Sequence, residues 1–125
     1  MVESKYKLLG YRVSNINVTI SDTFPTGVEK ISQTIDVSNN FSGDDKRFVE
    51  VVLDIHVFNE RKDFMLDLVI KGGFKADDDM PQELFEKLSQ KNGPAILFPF
   101  ARAIITSYTA QANIPAVILP TINFS

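Results

Sequence analysis

The last third of the 125-residue chain is almost free of charge, and this feature constrains the fold more than any other. Residues 93–125 contain one charged side chain, Arg102, and 19 apolar residues out of 33, whereas residues 1–92 hold the other 28 charged side chains. The surface of a monomeric protein in water is seldom so poor in charge. This segment must therefore be buried within the domain, be buried against another subunit, or bind something apolar.

The overall composition excludes several classes of function. The length is that of a single domain, residues 1–125, and the net charge of −3 argues against a nucleic-acid partner. The lack of cysteine and the single histidine argue against a metal site, and no cofactor is expected. No apolar run reaches the roughly 18 residues of a membrane span, and charges interrupt the N-terminus. We therefore expect a cytoplasmic protein without a secretory signal or membrane insertion.

Apolar and polar side chains alternate over much of the first part of the chain, as is typical of β-strands. The apolar alternation of the first strand changes parity at Ser14–Asn15, which indicates a β-bulge. Short connections indicate antiparallel neighbours, at least for the third and fourth strands. The four predicted strands cover residues 8–20, 28–37, 47–58 and 64–75.

The apolar periodicity becomes helical after the fourth strand. Asp79, with Gln82 three residues later, predicts an N-cap and a capping box for a helix that begins near residue 80 and that Gly93 can end. A second helix is predicted over residues 94–112, followed by an extended tail over residues 114–125. The predicted fold class is therefore α+β, with a four-stranded antiparallel sheet and two helices packed on one face.

The second predicted helix is apolar on more than one side. Pro94 suits its first turn, and Pro99 is expected to kink or restart it. A helix with several apolar faces has to be covered on several sides, and one small sheet cannot do this alone. The pattern therefore indicates an oligomer whose helices lie at the centre. The stripe expected at the oligomer interface consists of Leu97, Ala101, Ile104 and Tyr108.

The C-terminal segment from Gly93 to Phe124 resembles the SecB protein-export chaperone family. The family carries three motifs in this region. The first is a P-x-I-L-F-P-[YF]-A-R run, and the second is I-[TS]-S, which residues 105–107 match. The third is a proline-punctuated tail ending in P-x-N-F, which residues 120–124 match with one extra residue. The Gly72–Gly73 strand also resembles the fourth strand of the family. The first run is matched by Pro94, Ile96, Leu97, Phe98, Pro99, Phe100, Ala101 and Arg102.

The resemblance implies both an assembly and a function. Members of the family form a tetramer, a dimer of dimers with helices sandwiched between outer sheets. They bind non-native preproteins in long apolar grooves and hand them to the SecA motor, without ATP and without catalysis. The implied partners are therefore unfolded or precursor polypeptides. The groove candidates in this sequence are Phe24, Phe41, Phe74, Phe98, Ile118 and Phe124.

Two departures from the family pattern bear on the motor. Asn15 and Thr19 stand where the resemblance implies acidic residues that dock the basic tail of SecA, and the sequence stops at Ser125, without the polar tail that assists motor binding. The expectation is weak or absent SecA binding. SecB-like relatives without an assigned export role, including ones paired with toxin–antitoxin systems, resemble this sequence equally well.

Three classes of function follow from these observations. The first is a non-enzymatic SecB-like chaperone or binding module for non-native polypeptides. The second is a structural or adaptor oligomer that kept the fold without export activity. The third is an enzyme that uses Asp54 and His56, which share one face of the third strand. An exposed, solvated sheet face is the favoured explanation of that pair, and no nucleophile accompanies it, so no catalytic residue is assigned.

Overall fold

A computed structural model describes residues 5–22, 24, 30–43, 46–112, 117–120, 122 and 124. Its strands form one antiparallel sheet in the order β1-β4-β3-β2, and one long helix follows. Within the described part of the chain, no helix is both long enough and apolar enough to cross a membrane. The elements are β1 (Tyr6–Ile20), β2 (Ile31–Ser42), β3 (Phe48–Asn59), β4 (Phe64–Ala76) and α1 (Gln82–Gln111).

The sheet has an inner face that carries the core and an outer face that carries most of its charges. Alternate residues of β3 and β4 are fully buried on the inner face, where α1 packs, because side chains alternate between faces along a strand. The predicted inward sets of these strands are confirmed. The fully buried side chains of the inner face include Val49, Val51, Leu53, Ile55, Phe64, Leu66, Leu68, Ile70 and Phe74.

The predicted β-bulge in β1 is confirmed. The pairing of β1 with β4 shifts register between Val13 and Asn15, and a second shift occurs between Leu8 and Gly10. The strand therefore keeps Leu8, Val13 and Ile16 on one face although the sequence alternation breaks twice. Leu9, which lies at the second shift, is 56% exposed.

The second strand is longer than its sequence indicates. The prediction ended it at residue 37 because asparagines and Gly43 follow, but β2 continues to Ser42. Asn40 pairs with Glu50 and Ser42 pairs with Phe48, so cross-strand pairing with β3 outweighs the turn propensity of these residues. The turn falls instead at Gly43 and Lys46, which both have positive φ.

The prediction of two helices is wrong, because residues 82–111 form one helix that contains Pro94 and Pro99. Gly93 does not end a helix. A side chain there would come within 2.9 Å of the Tyr6 hydroxyl and of Val51, so the glycine allows the helix to approach the sheet closely. Proline inside a helix costs about 3 kcal/mol, and the burial of Leu97 and Ala101 on the following turns offsets that cost.

The predicted cap at Asp79 is also wrong. The helix begins at Gln82 with Pro81 at the N-cap and no side-chain hydrogen bond to the first turn. Asp79 instead forms an ion pair of 2.5 Å with Lys5, which tethers the segment before β1 to the segment before α1. Proline is favourable near a helix start because it has no N–H to satisfy.

The described part of the predicted tail packs on the helix. Val117 and Leu119 are buried in the same core as the sheet, whereas Ile118 between them is 73% exposed. This alternation is that of a strand, although these residues pair with no strand among those described. The start of the predicted tail, residues 114–116, lies outside the described residues, as do residues 121, 123 and 125.

Candidate apolar and charged surfaces

One edge of the molecule carries most of the large exposed apolar side chains found among the described residues. The rings of Tyr11 on β1 and Phe100 on α1 stack with their centroids 4.4 Å apart, and both remain exposed to solvent. Tyr108, two helical turns beyond Phe100, is 42% exposed. We call this region the β1–helix surface. Its exposed apolar members are Leu9, Tyr11, Val13, Ile16, Ile96, Phe100 and Tyr108.

The β1–helix surface combines a concave patch with an open strand edge. A shallow cavity of about 390 Å³ lies between Tyr11, Phe100, Ile104 and Tyr108. Among the described strands β1 pairs only with β4, so its other edge presents unpaired backbone groups along 15 residues. A long edge strand with exposed apolar side chains is a natural template for association with another chain. The opposite edge strand, β2, is mostly polar.

The structure divides the predicted interface stripe into two pairs. Leu97 and Ala101 are fully buried against the sheet of their own chain, and Leu97 lies where a side chain on Gly72 would be. Ile104 and Tyr108 line the cavity of the β1–helix surface. The predicted stripe contains both pairs because its residues are three or four positions apart along the helix. Only the packing of α1 against the sheet distinguishes the inward positions from the outward ones.

The six groove candidates differ widely in burial. Phe74 is fully buried and Phe98 is nearly so, which makes both of them part of the core. Phe24, Phe41 and Phe124 are half-buried and pack at its edge. Ile118 is the exposed member of the set.

The half-buried rings lie in separate places rather than in one site. Phe24 stacks on Phe64 with centroids 5.4 Å apart, and Phe41 meets Phe85 edge-on at 5.5 Å. Phe64 is the first residue of β4. Phe41 pairs with Val49, which in turn pairs with Phe74 near the other end of β4. Roughly 30 Å of strand therefore separates Phe24 from Phe41. Phe124 meets Phe98 edge-on at 5.7 Å, beside the tail.

Polar side chains of α1 hold the tail, a role that sequence patterns did not reveal. Arg102 donates a hydrogen bond from Nε to the Leu119 carbonyl (3.0 Å), and the Thr106 hydroxyl donates to the Val117 carbonyl (2.8 Å). The hydroxyl of buried Thr109 accepts the N–H of Val117 (2.8 Å). These bonds satisfy the backbone of a segment that pairs with none of the described strands. We call Ile118, Ile122 and Phe124 the tail surface.

Replacing Thr109 by valine is expected to destabilise the protein by about 1–3 kcal/mol, because the buried N–H of Val117 loses its acceptor. Urea unfolding measures the change. Ser107→Ala is the control, since Ser107 is exposed on the same helix and its change should cost less than about 0.5 kcal/mol. Equal losses for both variants would show that the tail is not held through Thr109.

His56 lies between two carboxylates on the outer face. Its Nδ1 is 2.5 Å from Asp67 on β4, and its Nε2 is 3.2 Å from Asp54 on β3. The hydrogen bond to Asp67, with further attraction from Asp54 and Asp36, raises the pKa of the imidazole. No group of acidic or histidine side chains in the described ranges is arranged to hold a metal ion. The arrangement is that of an ion-paired sheet surface, with a histidine that links two strands.

The stability that His56 contributes is expected to depend on pH. Because its pKa is raised in the folded state, the contribution is fully present below the unfolded pKa of about 6.5 and is lost as pH rises through the folded pKa. The difference in free energy of unfolding between the wild type and His56→Gln should therefore be larger near pH 5.5 than near pH 8.5. Urea titrations at both pH values test this, and a difference that grows with pH contradicts it.

Comparison with known proteins agrees with this architecture. The family model described as preprotein translocase subunit SecB matches residues 16–125. An uncharacterized protein of Methanocaldococcus jannaschii, MJ0357, is 30% identical over 94% of this chain and 78% of its own length. The protein-export protein SecB of Anaplasma phagocytophilum is 33% identical over 61% of this chain, and that of Bartonella quintana is 31% identical over 77%. The alignments span 51% and 61% of those two SecB proteins.

The fold likewise matches a solved structure. The SecB-like chaperone Rv1957 of Mycobacterium tuberculosis, solved with a ChAD peptide from the HigA1 antitoxin Rv1956, superposes with a TM-score of 0.75. The match covers 95% of this chain and 88% of that one at 11% identity, so it concerns the fold. Four antiparallel strands with one long helix on the inner face are a SecB-like fold. The chain belongs to the SecB family, and the resemblance noted in the sequence is confirmed.

Proposed function

We propose that this protein is a non-enzymatic chaperone that binds non-native polypeptides. Membership of the SecB family supports a chaperone-type role. The observation that carries the proposal is the amount of apolar surface that the fold leaves open on β1, α1 and the tail. Unfolded chains expose apolar side chains in many sequences, and a binding site for them has to be apolar and adaptable.

The two apolar surfaces have different roles in this proposal. The β1–helix surface joins copies of the chain into a tetramer, because it combines a strand edge with a concave patch. The tail surface binds the client, and the half-buried rings of Phe24 and Phe41, which lie elsewhere, give a long unfolded chain further points of contact. Ile118 projects from a backbone that hydrogen bonds fix on α1, so the site is pre-organised without being enclosed.

A titration with a permanently unfolded model protein tests the client site. Ile118→Ser is expected to weaken client binding several-fold and to leave the melting temperature unchanged, because the side chain contributes contact area but no core packing. Leu84→Ser is the matched control, since Leu84 is also exposed but lies in the first turn of α1. Equal effects of the two changes would remove the tail surface from the proposal.

Binding to the basic C-terminal peptide of SecA is expected to be weak or absent. Asn15 and Thr19 lie on the outer face, opposite Val69 and Met65, and neither carries a charge. Docking of a basic peptide on this face needs complementary carboxylates. Calorimetry should detect no sub-micromolar, salt-sensitive binding, and the double change Asn15→Asp and Thr19→Glu should increase the affinity. Tight binding by the unchanged protein would contradict the expectation.

An adaptor without client binding is the second candidate. The partner of the Mycobacterium tuberculosis neighbour is a peptide from an antitoxin, and a dedicated partner segment of this kind would use the same apolar surface with narrower specificity. An adaptor binds one such segment and no model client, whereas a chaperone binds many unfolded chains. The titration with an unfolded protein separates the two.

A further inference from the structure

The outer face of the sheet carries an unusual arrangement of cations on β1 and β4. Arg12 stands directly opposite Lys71, and Lys7 stands directly opposite Lys75. Like charges in directly opposed positions of a sheet destabilise it. The two pairs lie on neighbouring strands, about 13 Å apart along β4, so opposed cations occur twice on one face.

Two glycines face each other between these pairs. Gly10 stands opposite Gly73, which is two residues along β4 from each pair, and a side chain at Gly10 would meet no atom within 4 Å. The ring of Phe48, which is 38% exposed, lies beside Gly73 at 3.4 Å from the position of a Cβ. The glycines therefore form an open floor with an aromatic wall. A shallow cavity of about 360 Å³ lies there, lined by Gly10, Tyr11, Arg12, Phe48, Glu50, Lys71 and Gly73.

The cations at this cavity are available to a ligand. Arg12, Lys71 and Lys75 form no ion pair and no side-chain hydrogen bond with any described residue. Arg12 and Lys71 line the cavity, and Glu50, opposite Gly73, is the carboxylate that lines it, so two cations stand against one anion there. Lys75 lies beside the cavity, two residues beyond Gly73 on β4. A bound anion would relieve the repulsion between the opposed cations as well as pair with them.

The rest of the outer face limits what that anion is. Asp67 lies four residues from Lys71 on β4, about 13 Å away, with Asp54 and Asp36 on the adjoining strands. A long polyanion that followed the strands would therefore run from cations into carboxylates. A short acidic segment fits the charge pattern, because its carboxylates match the cations and its apolar side chains match the glycine floor and Phe48.

We propose that the depression formed by Gly10, Gly73 and Phe48 on the outer face, with Arg12, Lys71 and Lys75 around it, is a docking site for a short acidic peptide segment of a partner protein. The site lies on the face of the sheet opposite α1 and away from the tail surface, although Tyr11 lines both this cavity and the cavity of the β1–helix surface. It is therefore independent of client binding, and either proposal can fail while the other stands.

Fluorescence anisotropy at low salt with a labelled peptide of about eight residues, rich in Asp and Glu around one Phe, tests the site. The expected result is saturable, salt-sensitive binding that Lys71→Glu weakens roughly tenfold or more and that Glu50→Gln strengthens. Lys87→Glu is the matched control, because it makes the same charge change on the exposed side of α1 and should have little effect. Circular dichroism confirms that the variants fold.

Three outcomes would overturn the proposal. The first is no binding of the acidic peptide at low salt. The second is an equal loss in the Lys71 and Lys87 variants, which would indicate attraction by net charge rather than by a site. The third is tighter binding of a single-stranded oligonucleotide of matched charge with the same dependence on Lys71, which would assign the cations to nucleic acid.

Discussion

Replacing Phe74 by alanine is expected to lower the free energy of unfolding by about 3–5 kcal/mol, because a fully buried ring leaves a cavity that the sheet cannot close. The ring stacks on Tyr6 with centroids 4.9 Å apart, and Tyr6 in turn packs against Phe85 at the start of α1. One substitution therefore loosens β1, β4 and α1 together. Urea unfolding monitored by circular dichroism measures the loss.

The matched control for Phe74 is Phe58→Ala. Phe58 lies on the outer face, half-buried, with the Lys62 ammonium 5.9 Å from its ring centroid. Its loss should cost less than about 1 kcal/mol, because it fills no core space. If Phe58→Ala and Phe74→Ala destabilise the protein equally, the assignment of inner and outer faces is wrong.

Replacing Tyr108 by aspartate is expected to dissociate the oligomer. Four chains of 14.0 kDa give a tetramer of about 56 kDa. In the proposed tetramer, Tyr108 and the cavity that it lines are buried between copies of the chain. A carboxylate without a partner in such an interface costs several kcal/mol. Light scattering should give the tetramer mass for the wild type and a smaller species for the variant at micromolar concentration.

The control for the assembly is Gln90→Asp, which introduces the same carboxylate at an exposed position of α1 outside the β1–helix surface. This variant should keep the mass of the wild type. A monomer mass for the unchanged protein would contradict the role assigned to the β1–helix surface, and dissociation by both substitutions would show that charge alone, not position, breaks the assembly.

The strands could be predicted from the sequence because a sheet with one buried face imposes a two-residue period. That period located the bulge at Ser14–Asn15, where an extra residue changes the parity. The helix was harder to predict, since Gly93, Pro94 and Pro99 are local signals for interruption. Tertiary packing overrides them, because Gly93 lets α1 approach Tyr6 and Val51 while the next turns bury their side chains.

The surfaces were predictable only in part. The shortage of charge after residue 93 indicated an apolar surface, and the structure locates open apolar area on β1, α1 and the tail. Composition could not separate Phe74 in the core from Ile118 in solvent, because both are simply apolar. The opposed cations of the outer face could not be predicted, because locating them requires the register between β1 and β4. Two bulges shift that register relative to the sequence alternation.

The most direct test of chaperone function is light scattering from an unfolded model protein diluted into buffer without ATP. The wild-type protein at a few-fold molar excess of chains is expected to delay or suppress aggregation, and Ile118→Ser should suppress it less than Leu84→Ser does, because Ile118 belongs to the tail surface. Aggregation at an unchanged rate in the presence of folded, assembled wild-type protein would contradict the chaperone function and leave the adaptor as the better account.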